Sequence, residues 1–116
     1  MNRRSRHLSA LVLLCLALFA GHAAAQSAIG FVVLHGKGGR PEGLTAPLAA
    51  NLQQQGMLVI SPEMPWSGKR KYDADVAAAE AQVSEAVRSL RQRGAAKVFL
   101  AGHSQGAVFG LHYASK

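Results

Sequence analysis

The chain has 116 residues and one cysteine, and its formal net charge of +7 comes from 13 basic and 6 acidic side chains. Three of the arginines lie within the first six residues, so the rest of the chain has 10 basic side chains and a net charge of +4. Apart from Lys69-Arg70-Lys71, which is typical of a solvated loop, these charges are scattered. They favour no nucleic-acid partner. The single cysteine, Cys15, excludes a disulfide framework and a thiolate metal site, and we predict no metal and no cofactor.

The first 25 residues have the three parts of a secretory signal peptide. The arginines precede an uncharged apolar segment, residues 8–20, and Ala23-Ala24-Ala25 offers a cleavage site of small residues. The alternative is a membrane anchor, but a membrane span needs about 20 apolar residues. We therefore predict a secreted or periplasmic protein with no stable membrane anchor after cleavage, whose mature domain is 26–116.

The mature part alternates short apolar runs, typical of buried strands, with longer patterns typical of helices. The predicted strands are 29–34, 57–60 and 97–101, and the predicted helices are 44–55, 73–93 and 107–113. This order predicts a three-layer, doubly wound parallel sheet with right-handed crossovers, whose functional groups lie at the carboxyl ends of the strands.

Two of the helices have a predicted apolar face. In the first, the leucines at 44, 48 and 52 recur every four residues, with Thr45 as a candidate cap and Gly56 as the end. In the second, the apolar positions are 76, 83, 87 and 90, and Gly94 ends the helix. We expect both faces to pack against the sheet.

The pentapeptide Gly102-His103-Ser104-Gln105-Gly106 lies between the third strand and the helix that follows. A serine on such a sharp turn has a strained backbone, and a side chain at either glycine would collide where strand and helix pass closely. The pattern therefore predicts a nucleophile elbow at the end of a central strand. The alternative is a plain strand-to-helix turn.

Two other segments follow strands at the same predicted side of the sheet. The spacing of His35-Gly36-Lys37-Gly38-Gly39 fits neither of the common phosphate-binding patterns. The proline-rich loop 61–68 contains Trp66, which either lines a substrate pocket or packs the loop against the core.

Together, the strand before His35-Gly36 and the pentapeptide around Ser104 resemble the α/β-hydrolase superfamily, of serine esterase or lipase type. The resemblance covers about residues 28–116 and implies Ser104 as the catalytic nucleophile toward a small-molecule or lipid acyl substrate. It implies that the backbone amides of Gln105 and Lys37 form the oxyanion hole. Four residues are implied to support the elbow and the oxyanion loop, namely Gly102, Gly106, His35 and Gly36.

The resemblance also implies an Asp or Glu and then a His after the serine, whereas only twelve residues follow Ser104 and every acidic residue precedes it. Of the histidines present, His112 is too far along its helix, His103 is expected to line the elbow, and His35 to shape the oxyanion loop. We therefore expect the N-terminal portion of a hydrolase domain, truncated after the elbow helix and inactive by itself. The alternative function is a non-catalytic remnant or binding module.

Export can be tested directly. Because the basic start, the apolar segment and the cleavage site are all present, the exported chain is expected to begin at Gln26. N-terminal sequencing of the protein from the extracytoplasmic fraction checks this. A membrane-bound chain that retains Met1 would show instead that residues 8–20 are an anchor.

Overall fold

The computed structural model describes residues 28–116, which form an α/β structure with three strands and three helices in strict alternation. The strands are β1 (Ala28–Leu34), β2 (Leu58–Ile60) and β3 (Ala95–Gly102), and the helices are α1 (Ala46–Gln54), α2 (Val76–Gln92) and α3 (Gln105–Ala114). The predicted order of elements is confirmed. The predicted signal peptide and its cleavage site lie outside the described residues.

The sheet is parallel and open, with the strand order β2-β1-β3. Because the chain moves from β1 to β2 and then crosses back to the far side of β1, right-handed crossovers place α1 and α2 on opposite faces of the sheet. In the register of β1 with β3, Leu34 lies opposite Gly102, so both strands end at one level. In the described sheet, β3 is an outer strand. The prediction that Ser104 follows a central strand is therefore wrong for this sheet.

The main core lies between one face of the sheet and α2. Side chains alternate between the faces of a strand, and Val32 and Leu34 of β1 pack in one buried cluster with Val83 and Leu90 of α2. Each such side chain contributes about 1.5–3 kcal/mol when fully buried. Trp66 joins the same cluster and is only 3% exposed, so it packs the loop 61–68 against the core.

The predicted apolar faces of α1 and α2 are only partly buried. Leu44 lies before the observed start of α1 and is exposed. Leu48 is also exposed and no residue of α1 is buried, because the helix packs beside β2, the three-residue strand at the edge of the sheet. Thr45 stands at the cap position but has a helical backbone conformation, and its side chain makes no capping hydrogen bond. In α2, Val76 is exposed at the first turn.

Helices α2 and α3 are joined by polar contacts between their side chains. Glu80 of α2 accepts hydrogen bonds from His112 Nε2 at 2.7 Å and from Lys116 Nζ at 2.5 Å. One turn further on, the hydroxyls of Ser84 and Tyr113 lie 2.8 Å apart. The hydrogen bond from Lys116, followed by that from His112, lowers the pKa of Glu80 below its ordinary value of 4.5. The ionised carboxylate therefore stabilises the packing of the two helices.

The pH dependence of stability tests this link. A carboxyl group whose pKa is lower in the folded state stabilises the fold above its unfolded pKa, and this contribution is lost as the pH falls through the folded value. Glu80→Gln is therefore expected to lower the melting temperature at about pH 6 and to have a much smaller effect at about pH 3. Thermal unfolding of the full-length chain at both pH values measures the difference.

Glu85→Gln is the matched control, because Glu85 lies on the same helix and, among the described residues, pairs only with Arg88 of that helix. It is expected to change the melting temperature little at either pH. Equal effects of the two substitutions would show that Glu80 does not link the helices.

Candidate active site

Ser104 occupies the sharp turn between β3 and α3 and is exposed. Its backbone has φ 53° and ψ −121°, and it is one of three non-glycine residues with positive φ in the described part of the chain. A residue in such a conformation costs about 1–3 kcal/mol, which the surrounding structure must offset. Two backbone hydrogen bonds brace the turn, from His103 to the carbonyl of Leu34 at 3.1 Å and from Gly106 to the carbonyl of His103 at 2.9 Å.

The two glycines of the pentapeptide allow the backbone segments to approach closely. A Cβ atom at Gly102 would lie 2.5 Å from the carbonyl carbon of Gly106. A Cβ atom at Gly106 would lie 2.3 Å from the carbonyl oxygen of Leu34 and 2.6 Å from that of His35. All of these are backbone atoms, which cannot move aside as a flexible side chain can. The steric reason for glycine expected from the sequence is therefore present at both positions.

The loop after β1 lies next to the serine. A Cβ atom at Gly36 would lie 3.4 Å from the Cβ of Ser104 and 2.9 Å from Nδ1 of His103. Lys37 is the next residue along this loop and is exposed. Within residues 28–116, the backbone amides of Lys37 and Gln105 donate no hydrogen bond. Because Gln105 is the first residue of α3, its amide also lies at the positive end of the helix dipole.

His35 is buried, at 2% exposure, and both of its ring nitrogens have partners. The amide of Met64 donates to Nε2 at 3.0 Å, so Nδ1 is assigned the proton and points to the carbonyl of Gly36 at 2.9 Å. The backbone carbonyl of His35 accepts a hydrogen bond from Nε1 of Trp66 at 2.8 Å. His35 therefore joins the end of β1 to the loop 61–68. Its ring is not free to take a proton from Ser104.

The other described histidines also leave the serine without a base. His112 pairs with Glu80 on α2, and the ring of His103 lies over Gly36. In the described part of the chain, neither a histidine nitrogen nor a carboxylate makes a hydrogen bond to the hydroxyl of Ser104. Within residues 28–116, the site thus has a strained serine and two unpaired amides, but no base hydrogen-bonded to the serine.

Tyr72 belongs to this region, although no sequence pattern pointed to it. Its hydroxyl donates to Oε1 of Gln105 at 2.8 Å. Tyr72 and Lys71 both have positive φ, 60° and 51°, at positions without the glycine or asparagine that usually signals such a turn. The neighbouring Arg70 fixes the loop, donating to Asp73 and to the carbonyl of Glu63. The triplet Lys69-Arg70-Lys71 is predicted from the sequence to be a solvated loop. Lys69 and Lys71 are indeed exposed, whereas Arg70 is held by its hydrogen bonds.

Metal-binding clusters and membrane-spanning helices are both absent from residues 28–116. No three histidine, cysteine or acidic side chains cluster there in a way that could hold a metal ion. None of the helices in this range combines the length and the apolar composition that a membrane span requires.

Two glycine-to-alanine substitutions in α3 test the close approach at the turn. Gly106→Ala is expected to destabilise the fold by about 3 kcal/mol, because the new methyl group meets backbone oxygens. At Gly110 a Cβ atom would lie 3.7 Å from the Cβ of Leu100, an ordinary contact. Gly110→Ala is therefore the matched control, expected to stabilise the chain by about 0.5–1 kcal/mol as alanine replaces glycine within a helix.

Denaturant unfolding of the full-length chain and of the two variants gives the three free energies of unfolding. A Gly106→Ala variant as stable as Gly110→Ala would show that the first turn of α3 does not approach β1 as described.

The chain was compared with models of protein families, with curated proteins and with solved structures, and none of the three comparisons found a match.

Proposed function

We propose that this chain carries the nucleophile and the oxyanion hole of an exported serine hydrolase of the α/β-hydrolase type, which acts on carboxylic esters or related acyl substrates. One observation carries the proposal. Ser104 is held at positive φ on a strand-to-helix turn, between two glycines that have no room for a side chain. Strain of this kind is typical of functional residues, and this turn is the geometry of a nucleophile elbow.

In the proposed reaction, Oγ of Ser104 attacks the acyl carbonyl carbon and its proton passes to a base. The carbonyl oxygen becomes negatively charged and accepts hydrogen bonds from the amides of Lys37 and Gln105, each worth about 3 kcal/mol in the transition state. The intermediate collapses, the bond to the leaving alcohol breaks, and the base returns the proton to that alcohol. Water then attacks the acyl carbon and gives a proton to the base. The bond between that carbon and Oγ breaks, the base returns the proton to Ser104, and the acid is released.

The base and its acidic partner are proposed to come from polypeptide outside the described residues. The outer side of β3 is a suitable place for it, because β3 pairs only with β1 in the described sheet. An apolar groove of 490 Å³ runs there between β3 and α3, and Phe99 and Leu111 are exposed beside it. A further strand paired with β3 would cover this groove and would end near Ser104.

A non-catalytic binding module is the second candidate function. One observation favours it, namely that the buried His35 has both ring nitrogens engaged and cannot serve as the base. In that case the turn at Ser104 holds a ligand at the end of the sheet without cleaving it.

A reactive probe for serine separates the two candidates. A small alkyl fluorophosphonate forms a bond between phosphorus and Oγ and expels fluoride, while the proton leaves with a base. With imidazole in solution as that base, Ser104 is expected to react at least roughly tenfold faster than Ser115, because its oxyanion donors are already in position. Mass spectrometry of peptides from the full-length chain measures both rates.

Ser115 is a suitable internal control because it is exposed at the opposite end of the same helix and has no strained backbone. Ser104→Ala is expected to remove the fast modification. Equal rates at the two serines would contradict the hydrolase proposal and favour the binding module.

Turnover gives a separate prediction about the missing base. The described residues alone supply no proton acceptor, so the chain is expected to hydrolyse p-nitrophenyl acetate near the background rate, with no measurable change in Ser104→Ala. Robust turnover that depends on Ser104 would show that the base lies within this chain.

A further inference from the structure

A small apolar pocket lies beside the turn at Ser104 and has no part in the machinery described above. It has a volume of 90 Å³ and lies where the loop after β2 meets the first turns of α2 and α3. Most of its lining is carbon, supplied by Pro65, Trp66, Tyr72, Val76, Ala79 and Phe109. The rings of Trp66 and Phe109 pack with their centroids 5.0 Å apart and form its floor. A pocket with rigid aromatic walls favours an apolar ligand.

Gln105 connects this pocket to the nucleophile. It directly follows Ser104, its amide is a proposed oxyanion donor, and its side chain lines the pocket. The hydroxyl of Tyr72 donates to Oε1 of Gln105 at 2.8 Å. Because the hydroxyl of Tyr72 and the side-chain oxygen of Gln105 form a hydrogen bond with each other, this part of the pocket wall offers a ligand mainly carbon atoms. The pocket therefore begins one residue beyond the serine that would be acylated.

Tyr72 is held in place as the outer wall against its own backbone preference. Its φ is 60°, its amide donates to the carbonyl of Pro65 at 2.7 Å, and the amide of Lys71 donates to that of Ser67 at 3.0 Å. A bulky residue at positive φ is strained, and such strain persists only where the surroundings impose it. The side chain is nevertheless 53% exposed, so burial of the ring does not account for the strain. The two backbone hydrogen bonds impose the strained conformation, and they hold the ring at the wall of the pocket.

We infer that this pocket receives a short, unbranched aliphatic acyl chain of about three to four carbons. A cavity of about 150 Å³ holds the six carbons of benzene, and 90 Å³ holds proportionally fewer. Asp75 also lines the pocket, and its negative charge disfavours a free carboxylate and favours a neutral ester or amide. That the pocket holds the acyl group of a substrate rests on the proposed hydrolase function. Binding of an aliphatic chain in the pocket does not depend on that function.

Fluorescence can report binding, because Trp66 is the only tryptophan in the chain and is 3% exposed in the pocket wall. Titration of the full-length chain with acetamide, butyramide and hexanamide measures the effect of chain length without any reaction. Butyramide is expected to bind roughly tenfold more tightly than acetamide, because it buries two more methylene groups. Hexanamide is expected to show no further gain, because the pocket holds only about three to four carbons.

Two identical substitutions on exposed valines locate the site. Val76 is 58% exposed and lines the pocket, so Val76→Phe is expected to fill the pocket and weaken butyramide binding at least roughly tenfold. Val108 is 68% exposed on α3 and does not line the pocket, so Val108→Phe is expected to leave binding unchanged. The rise in melting temperature with butyramide gives a second measurement that does not depend on Trp66.

Affinity that keeps rising through hexanamide, equal weakening by the two phenylalanine substitutions, or no binding by either measurement would overturn the inference. Failure of the hydrolase proposal has a different signature. There the amides bind with the expected length limit, but the fluorophosphonate modifies Ser104 no faster than Ser115. Selective modification of Ser104 without the length limit would refute the pocket alone.

Discussion

The approach of the first turn of α3 to the end of β1 controls the geometry of the whole candidate site. At Gly106 there is no space for even a methyl group, because the carbonyl oxygens of Leu34 and His35 occupy it. This contact determines where the helix begins and how closely it follows the strand. It forces Ser104 into the turn with positive φ and leaves the amide of Gln105 at the start of the helix. The loop at Gly36 is brought beside the serine by the same approach.

The features that the sequence predicts well are those set by local patterns. All three strands and three helices lie within a few residues of the positions expected from apolar runs and from glycines such as Gly56 and Gly94. The strained serine follows from its two glycine neighbours, whose steric role is also local. The observation that β3 is an outer strand, by contrast, depends on what pairs with it, and that information is absent from any short window of sequence.

The features that the sequence misses depend on distant partners. The leucine spacing predicts an amphipathic helix from residue 44, yet α1 begins at Ala46, and both Leu44 and Leu48 are exposed because only a short edge strand lies beside the helix. Tyr72 has positive φ because hydrogen bonds to nearby carbonyls, together with those from Arg70 to Gln82 of α2 and from its own hydroxyl to Gln105 of α3, fix its loop. No glycine or asparagine marks the turn. Helical periodicity and turn composition cannot reveal either effect, since both arise from tertiary packing that overrides local preference.

The proposed serine hydrolase function has two requirements, namely stabilisation of an oxyanion and removal of a proton. The first needs backbone amides and a strained turn, and neighbouring parallel strands whose ends are level supply these together. The second needs a free imidazole, but both nitrogens of the buried His35 are engaged: Nε2 accepts from Met64 of the loop 61–68, and Nδ1 points to the carbonyl of Gly36. That loop carries Trp66 and leads into Tyr72, so His35 shapes the pocket beside Ser104 although it cannot act as a base. Freeing this imidazole for catalysis would therefore release the loop that forms the pocket wall, so a base from another part of the polypeptide is compatible with this fold and His35 is not.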